Sequence, residues 1–217
     1  MSKKKGKLIV FEGIDCCGKT TILQKLAYNR RFGTNTFFTR EPGSLLPKED
    51  TNKIEEIREE ILHGYNNTDF QQAQLFAKAR YLHTKQIIGY INNGSNIISD
   101  RYLLSSLIYQ GLTLGQNIVK ELNKDSINLL KEEKIDIHSI VFCITEETYK
   151  RRQQKRDTKL DAMEDKDDKI ILDRLNTFNN IEEGKSQFGY IYKIDANTTI
   201  DEVFDQVVNI IEEILEK

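Results

Sequence analysis

Gly13-Ile14-Asp15-Cys16-Cys17-Gly18-Lys19-Thr20 lies between an apolar run, Leu8-Ile9-Val10-Phe11, and a helical pattern over Thr21-Ile22-Leu23-Gln24-Lys25-Leu26-Ala27. A strand that feeds a glycine-rich turn and then opens a helix admits few architectures. Gly13 and Gly18 permit backbone angles that turn successive N–H groups inward. Those groups, with the positive end of the following helix, make a concave anion cradle. Lys19 adds an ammonium for β- and γ-phosphates, and the Thr20 hydroxyl can ligate Mg²⁺. The loop Gly13, Ile14, Asp15, Cys16, Cys17, Gly18, Lys19 and Thr20, with Thr21 behind it, is therefore expected to hold a nucleoside triphosphate.

Further along, strand and helix alternate without repeats. Strands are expected at Thr34–Thr39, Asn96–Ser99, Ser139–Ile144 and Tyr190–Ile194. Helical patterns cover Ile54–Leu62, Phe70–Asn92 (capped by Thr68 or Asp69), Leu103–Gln110, Asn117–Glu132, Glu146–Lys155, Ile170–Glu183 and Ile200–Leu215. Alternation at these lengths implies right-handed crossovers and a parallel sheet covered on both faces. The expected fold is α/β, a P-loop NTPase-type parallel sheet of about five strands with helices on both faces. At 217 residues the chain reads as a single domain.

Ligands of such sheets bind at the carboxyl ends of the strands. Those ends carry the phosphate loop, Arg40-Glu41-Pro42, Asp100-Arg101 and the loop after Ile194. A net charge of −2 gives no reason to expect nucleic acid or an anionic membrane as partner. Residues 1–7 are basic, and a frayed, solvated end is expected there. The apolar run behind them is too short for a membrane span or signal core. Three cysteines, two of them adjacent, make no disulfide framework, which points to reducing cytoplasm.

The phosphate loop alone leaves GTPase, ATPase and kinase open. Asp100 closes a strand where a carboxylate can hold Mg²⁺, directly or through water. Arg101 beside it offers a planar fork to a phosphoryl acceptor. Ser105, Ser106, Tyr109 and Gln110 share a short helix and can present hydroxyls, a phenol and an amide to a polar ligand. Phe76 and Arg80, four apart on the long helix, pair a flat ring with a donor, as recognition of a nucleobase requires. Arg40 joins these as a substrate-binding candidate. Phe76 also reads as plain core beside Leu75, Ala79 and Leu82.

Phe11-Glu12-Gly13-Ile14-Asp15, Thr39-Arg40-Glu41-Pro42-Gly43, Leu75-Phe76-Ala77-x-x-Arg80-x-x-His83 and Asp100-Arg101-Tyr102-x-x-Ser105-Ser106-x-x-Tyr109-Gln110-Gly111 resemble the successive motifs of thymidylate kinases. Leu160-Asp161-x-x-Glu164 and Ile194-Asp195-Ala196 continue the resemblance in order. It implies transfer of the ATP γ-phosphoryl to dTMP with Mg²⁺, by a protein that is usually a homodimer. By the same resemblance Phe76 stacks on the base and Arg80 donates to the thymine edge. Arg101 holds the acceptor phosphate, and Asp15 sits near the sugar 3′-hydroxyl. Ser106 and Gln110 lie near the base, and Tyr109 guards the sugar 2′ position.

Some thymidylate kinases carry an arginine inside the phosphate loop, where this chain has Cys16. Cations for the γ-phosphate are then expected from Arg152 and Arg156, in a charged lid at about 152–168. The same charge run also reads as a solvated face. Ser44-Leu45-Leu46-Pro47 and Ala162 depart from the family pattern. Rival readings are a GTPase, another deoxynucleoside or deoxynucleoside-monophosphate kinase, and a nucleotide-binding module without turnover. The GTPase would use Thr158-Lys159-Leu160-Asp161, but the sequence lacks a D-x-x-G outside Asp15–Gly18.

Overall fold

Strand β1 (Leu8–Glu12) is buried along its whole length, as a strand in a sheet covered on both faces must be. Leu8 and Val10 pack with Ile87 and Ile91 on one side, whereas Ile9 and Phe11 pack with Leu26, Val207 and Ile211 on the other. Two helical layers are thus fixed by the period-two alternation of a single strand. The computed structural model describes residues 4–45, 52–63, 67–155 and 167–217.

After β1 come α1 (Lys19–Asn29), β2 (Thr36–Arg40), α2 (Asn52–His63), α3 (Asp69–Asn92) and β3 (Asn96–Asp100). Four short helices follow: α4 (Leu103–Tyr109), α5 (Gly111–Leu114), α6 (Gln116–Leu122) and α7 (Lys124–Glu132). The chain then runs through β4 (Ile137–Cys143), α8 (Glu146–Gln154), α9 (Asp168–Asn179), β5 (Gly184–Ser186), β6 (Gly189–Asp195) and α10 (Ile200–Glu216). The strand order is β2-β3-β1-β4-β6-β5. Register brings both Phe11 and Arg40 opposite Asp100, so the carboxyl ends of β1, β2 and β3 finish at one level.

All five expected strands are present and mutually parallel. The sixth, β5, corrects the strand count: it pairs antiparallel with β6 at the sheet edge. Its Gly-Lys-Ser sequence has no apolar alternation to announce it. The helix expected to reach Glu183 stops at Asn179, and the Glu183 carboxylate instead accepts from the Lys193 N–H at 2.8 Å. The helix expected over Asn117–Glu132 is divided at Asn123. Asn123 turns inward there, its amide donating to Val119 O at 2.8 Å and its carbonyl accepting from Arg80 at 2.6 Å. Of the two caps considered for α3, Thr68 is the one used, in a capping box with Gln71.

Candidate active site

The phosphate loop is built by close approach. Gly13 has φ +144°, and a Cβ there would meet Cys17 Sγ and Phe142 O at 2.9 Å. Gly18, at φ +103°, turns the chain into α1. Lys19 is buried, and its ammonium donates to Gly13 O and Ile14 O at 3.0 Å each and lies 3.4 Å from Cys17 Sγ. Gly13 and Ile14, expected to touch nucleotide, thus give the loop its floor, while Asp15, Cys16, Cys17, Gly18, Lys19, Thr20 and Thr21 line a pocket of about 440 Å³.

A second pocket of about 350 Å³ abuts the first. Phe76, Arg80, Ser105, Ser106, Tyr109, Gln110 and Arg40 all line it, so the structure gathers the expected acceptor residues into one wall. Asp15, Thr20, Asp100 and Arg101 line both pockets. Phe76 lines the pocket and also packs against the cluster of Ile57, Ile61 and Ala79, as its core reading expects.

Arg101 occupies the centre of this junction with φ +68°, a conformation rare for a side-chain-bearing residue. Its N–H donates to Phe11 O at 2.9 Å. Its guanidinium donates to Gly13 O and Ser105 Oγ at 3.0 Å, to Tyr109 Oη at 3.2 Å and to Asp15 Oδ1. Tyr109 in turn donates to Asp15 Oδ2 at 2.8 Å. Burial pushes the Asp15 carboxyl up, but Arg101 and Lys19 outweigh it and hold the group below the usual carboxylate range. The Tyr109 phenol is driven well above its ordinary value, chiefly by burial.

Two residues outside the expected site support Arg101 and Tyr109. Glu12, wholly buried at the end of β1, accepts from the Tyr102 N–H at 3.0 Å and from the Ser105 hydroxyl that also receives Arg101. Burial raises the Glu12 carboxyl above its ordinary value. Arg174 on α9 lies 4.5 Å from the Tyr109 ring centroid, and Arg101 lies 4.9 Å from it. Nothing local in the sequence marks Arg174, because β4 and several helices separate it from Tyr109 along the chain. Arg58 of α2 lines the acceptor pocket and donates to Pro42 O. It reads as surface charge on an amphipathic helix.

Arg80 and Arg152 are more engaged than their sequence reading implies. Arg80 is 2% exposed and bonded to Glu41, Asn123, Tyr102 O and Ser106. Arg152 lines the loop pocket, but its guanidinium donates to Cys17 O at 3.0 Å and Ala196 O at 2.7 Å. It ties the phosphate loop to the turn before α10. Arg156, Leu160, Asp161, Glu164 and the body of the expected lid lie outside the described residues.

The Thr20 hydroxyl donates to Asp100 Oδ2 at 3.1 Å, while Asp100 Oδ1 is buried with no partner among the described residues. A buried carboxylate oxygen left unpaired is unfavourable by about 1–3 kcal/mol or more. One hydroxyl and one carboxylate fit a magnesium ion that keeps waters and phosphate oxygens as its other ligands. Among the described residues there is no cluster of three or more His, Cys, Asp or Glu that would make an all-protein metal cage.

A phosphate loop whose threonine meets a strand-end carboxylate, backed by a second polar pocket, defines a P-loop nucleotide-binding protein that brings two ligands together. The family model for thymidylate kinase matches residues 11–207. The thymidylate kinase of Caldicellulosiruptor saccharolyticus is 32% identical, over 98% of this chain and 99% of that one. The thymidylate kinase of Mycoplasmoides gallisepticum is 33% identical, over 96% and 95% respectively. The chain belongs to the thymidylate kinase family. A solved thymidylate kinase from Candida albicans shares the fold, with a TM-score of 0.65 at 22% identity over 96% of this chain and 92% of that one. Among the described residues no helix is long and apolar enough to cross a membrane.

Proposed function

We propose that this chain transfers the γ-phosphoryl group of ATP to dTMP, giving dTDP and ADP. The observation that carries the reading is the shared wall: Asp15, Thr20, Asp100 and Arg101 border both pockets. Phosphates seated on either side therefore meet across fixed charges, and positioning of this kind is most of what phosphoryl transfer asks of a protein. An oxygen of the acceptor phosphate forms the new P–O bond as the β–γ bridge breaks. That oxygen is already ionised near neutral pH, since a phosphate monoester loses its second proton near about pH 6. No general base is required. Asp15, held as a carboxylate by Arg101, serves to orient that arginine towards the acceptor phosphate.

Lys19 and the loop N–H groups take the donor phosphates, with Arg101 and Arg40 on the acceptor phosphate. Thr20 and Asp100 would hold Mg²⁺, which supplies charge neutralisation across the transferred group. Phe76 stacks on the base, and Tyr109 packs at the sugar. Arg80 offers a donor to the same pocket, and Gln110 a buried Oε1 acceptor that has no partner among the described residues. A keto-imide edge such as that of thymine presents the complementary acceptor and donor, whereas a cytosine edge reverses both. A homodimer is part of the same reading and rests on family resemblance.

The test is a coupled ADP-release assay across dTMP, dUMP, dCMP, dGMP and thymidine. dTMP is expected to be the best acceptor. Equal turnover of dCMP or dGMP, or turnover of thymidine in place of dTMP, would sink the reading.

A further inference from the structure

We infer that Glu41 determines which base the acceptor pocket takes, by fixing Arg80 as a neutralised hydrogen-bond donor towards it. The inference rests on the acceptor reading above. Glu41 Oε2 receives Arg80 Nε at 2.7 Å, and the two side chains are only 3% and 2% exposed. Its Oε1 lies 3.3 Å from His83 Nδ1, whose Nε2 lies 3.0 Å from Thr39 Oγ1. The Glu41 N–H donates to Asp100 O at 2.9 Å, which ties the residue to the metal-side strand. The carboxylate is held from two directions and cannot follow Arg80 if the arginine moves.

A guanidinium has five N–H donors. Nε is used by Glu41, both Nη2 hydrogens are matched by Tyr102 O at 3.2 Å and Ser106 Oγ at 2.9 Å, and one Nη1 hydrogen goes to Asn123 Oδ1 at 2.6 Å. Among the described residues one Nη1 hydrogen has no partner, on a residue that lines the acceptor pocket. Of these partners Glu41 alone is charged. With Glu41 present the buried pair is neutral overall, so Arg80 selects by hydrogen-bond polarity: it welcomes a ring carbonyl and refuses an amino group, because arginine cannot accept. Without that charge an uncompensated guanidinium is left in a buried site and loses its defined direction. Glu41 is therefore a positioning residue that acts through Arg80.

The experiment measures KM for dTMP and for ATP, and kcat/KM for dTMP against dCMP, in the full chain and in Glu41→Gln, Arg80→Gln and the double variant. Glu41→Gln is expected to raise the dTMP KM about tenfold or more, the scale of one lost charged hydrogen bond. The ATP KM should stay within about twofold, and the preference for dTMP over dCMP should narrow. The double variant should be no worse than Arg80→Gln alone, since two residues acting as a unit do not add. An unchanged dTMP KM, parallel rises in both KM values, or losses that multiply in the double variant would overturn the inference. If Glu41→Gln is not recovered folded, Glu41→Asp is read by the same criteria. A wild-type chain that does not favour dTMP overturns the functional reading itself. A dTMP-selective wild type with a silent Glu41→Gln overturns only the role of Glu41.

Discussion

Thr20 and Asp100, 80 residues apart in sequence, meet at 3.1 Å at the boundary of the two pockets, with the hydroxyl donating to Oδ2. The contact joins the first turn of α1 to the last residue of β3. The parallel pairing of β1 with β3 sets Phe11 opposite Asp100, so the loop leaving β1 for α1 starts level with the end of β3. The pair is thus a product of the fold, and the Oδ1 beside it is buried with no partner among the described residues.

Asp100→Asn should accordingly weaken Mg²⁺ dependence of turnover. Half-saturation is expected to move up by about 10–100-fold, the usual penalty for loss of a metal-orienting carboxylate. A Mg²⁺ titration at fixed ATP and dTMP reads this directly, alongside thermal melting to confirm the fold. An unshifted titration curve would remove Asp100 from the metal site.

Arg152→Ala addresses the brace between the phosphate loop and the turn before α10. The guanidinium holds Cys17 O and Ala196 O, so its loss should slacken the pocket proposed to receive ATP. Charged hydrogen bonds of this kind contribute about 1.5–3 kcal/mol, which corresponds to a rise of roughly tenfold or more in the ATP KM. The dTMP KM should hardly change. A fall in kcat with the ATP KM intact would instead mark a contact made only in the transition state.

Acid should erode the stability that the Asp15–Arg101 pair contributes, in a defined direction. The folded-state pKa of Asp15 lies below its ordinary value of 3.8, because Arg101 and Lys19 overcome the effect of burial. A depressed carboxyl contributes stability that is complete above the unfolded value and lost as pH falls below it. Asp15→Asn should therefore melt lower than wild type near neutrality, and the difference should shrink as pH drops from about 4 towards 3. Thermal melts across that range check it; a gap that stays constant into acid would show that the pair is not what the carboxylate stabilises.

The sequence by itself determined the loop, the alternation of elements and which side chains come to line the two pockets. Each of these is written in short-range signals: glycines spaced around Lys19, apolar runs of strand length, and a ring and a guanidinium four residues apart at Phe76 and Arg80. Such signals report neighbours along one element, so they gathered the acceptor residues without saying what each would bond. Only the tertiary structure decided that Arg80 is clasped by Glu41 and Asn123, 39 and 43 residues away. It also decided that Tyr109 lies against guanidinium groups from Arg101 and Arg174, and that Arg152 braces the loop. It added β5, a strand held by pairing with β6 and by no pattern of its own. The physical reason is common to all of them. A buried charge must find its partner wherever the packed sheet and helices bring one within hydrogen-bond reach, and that meeting is a property of the assembled fold.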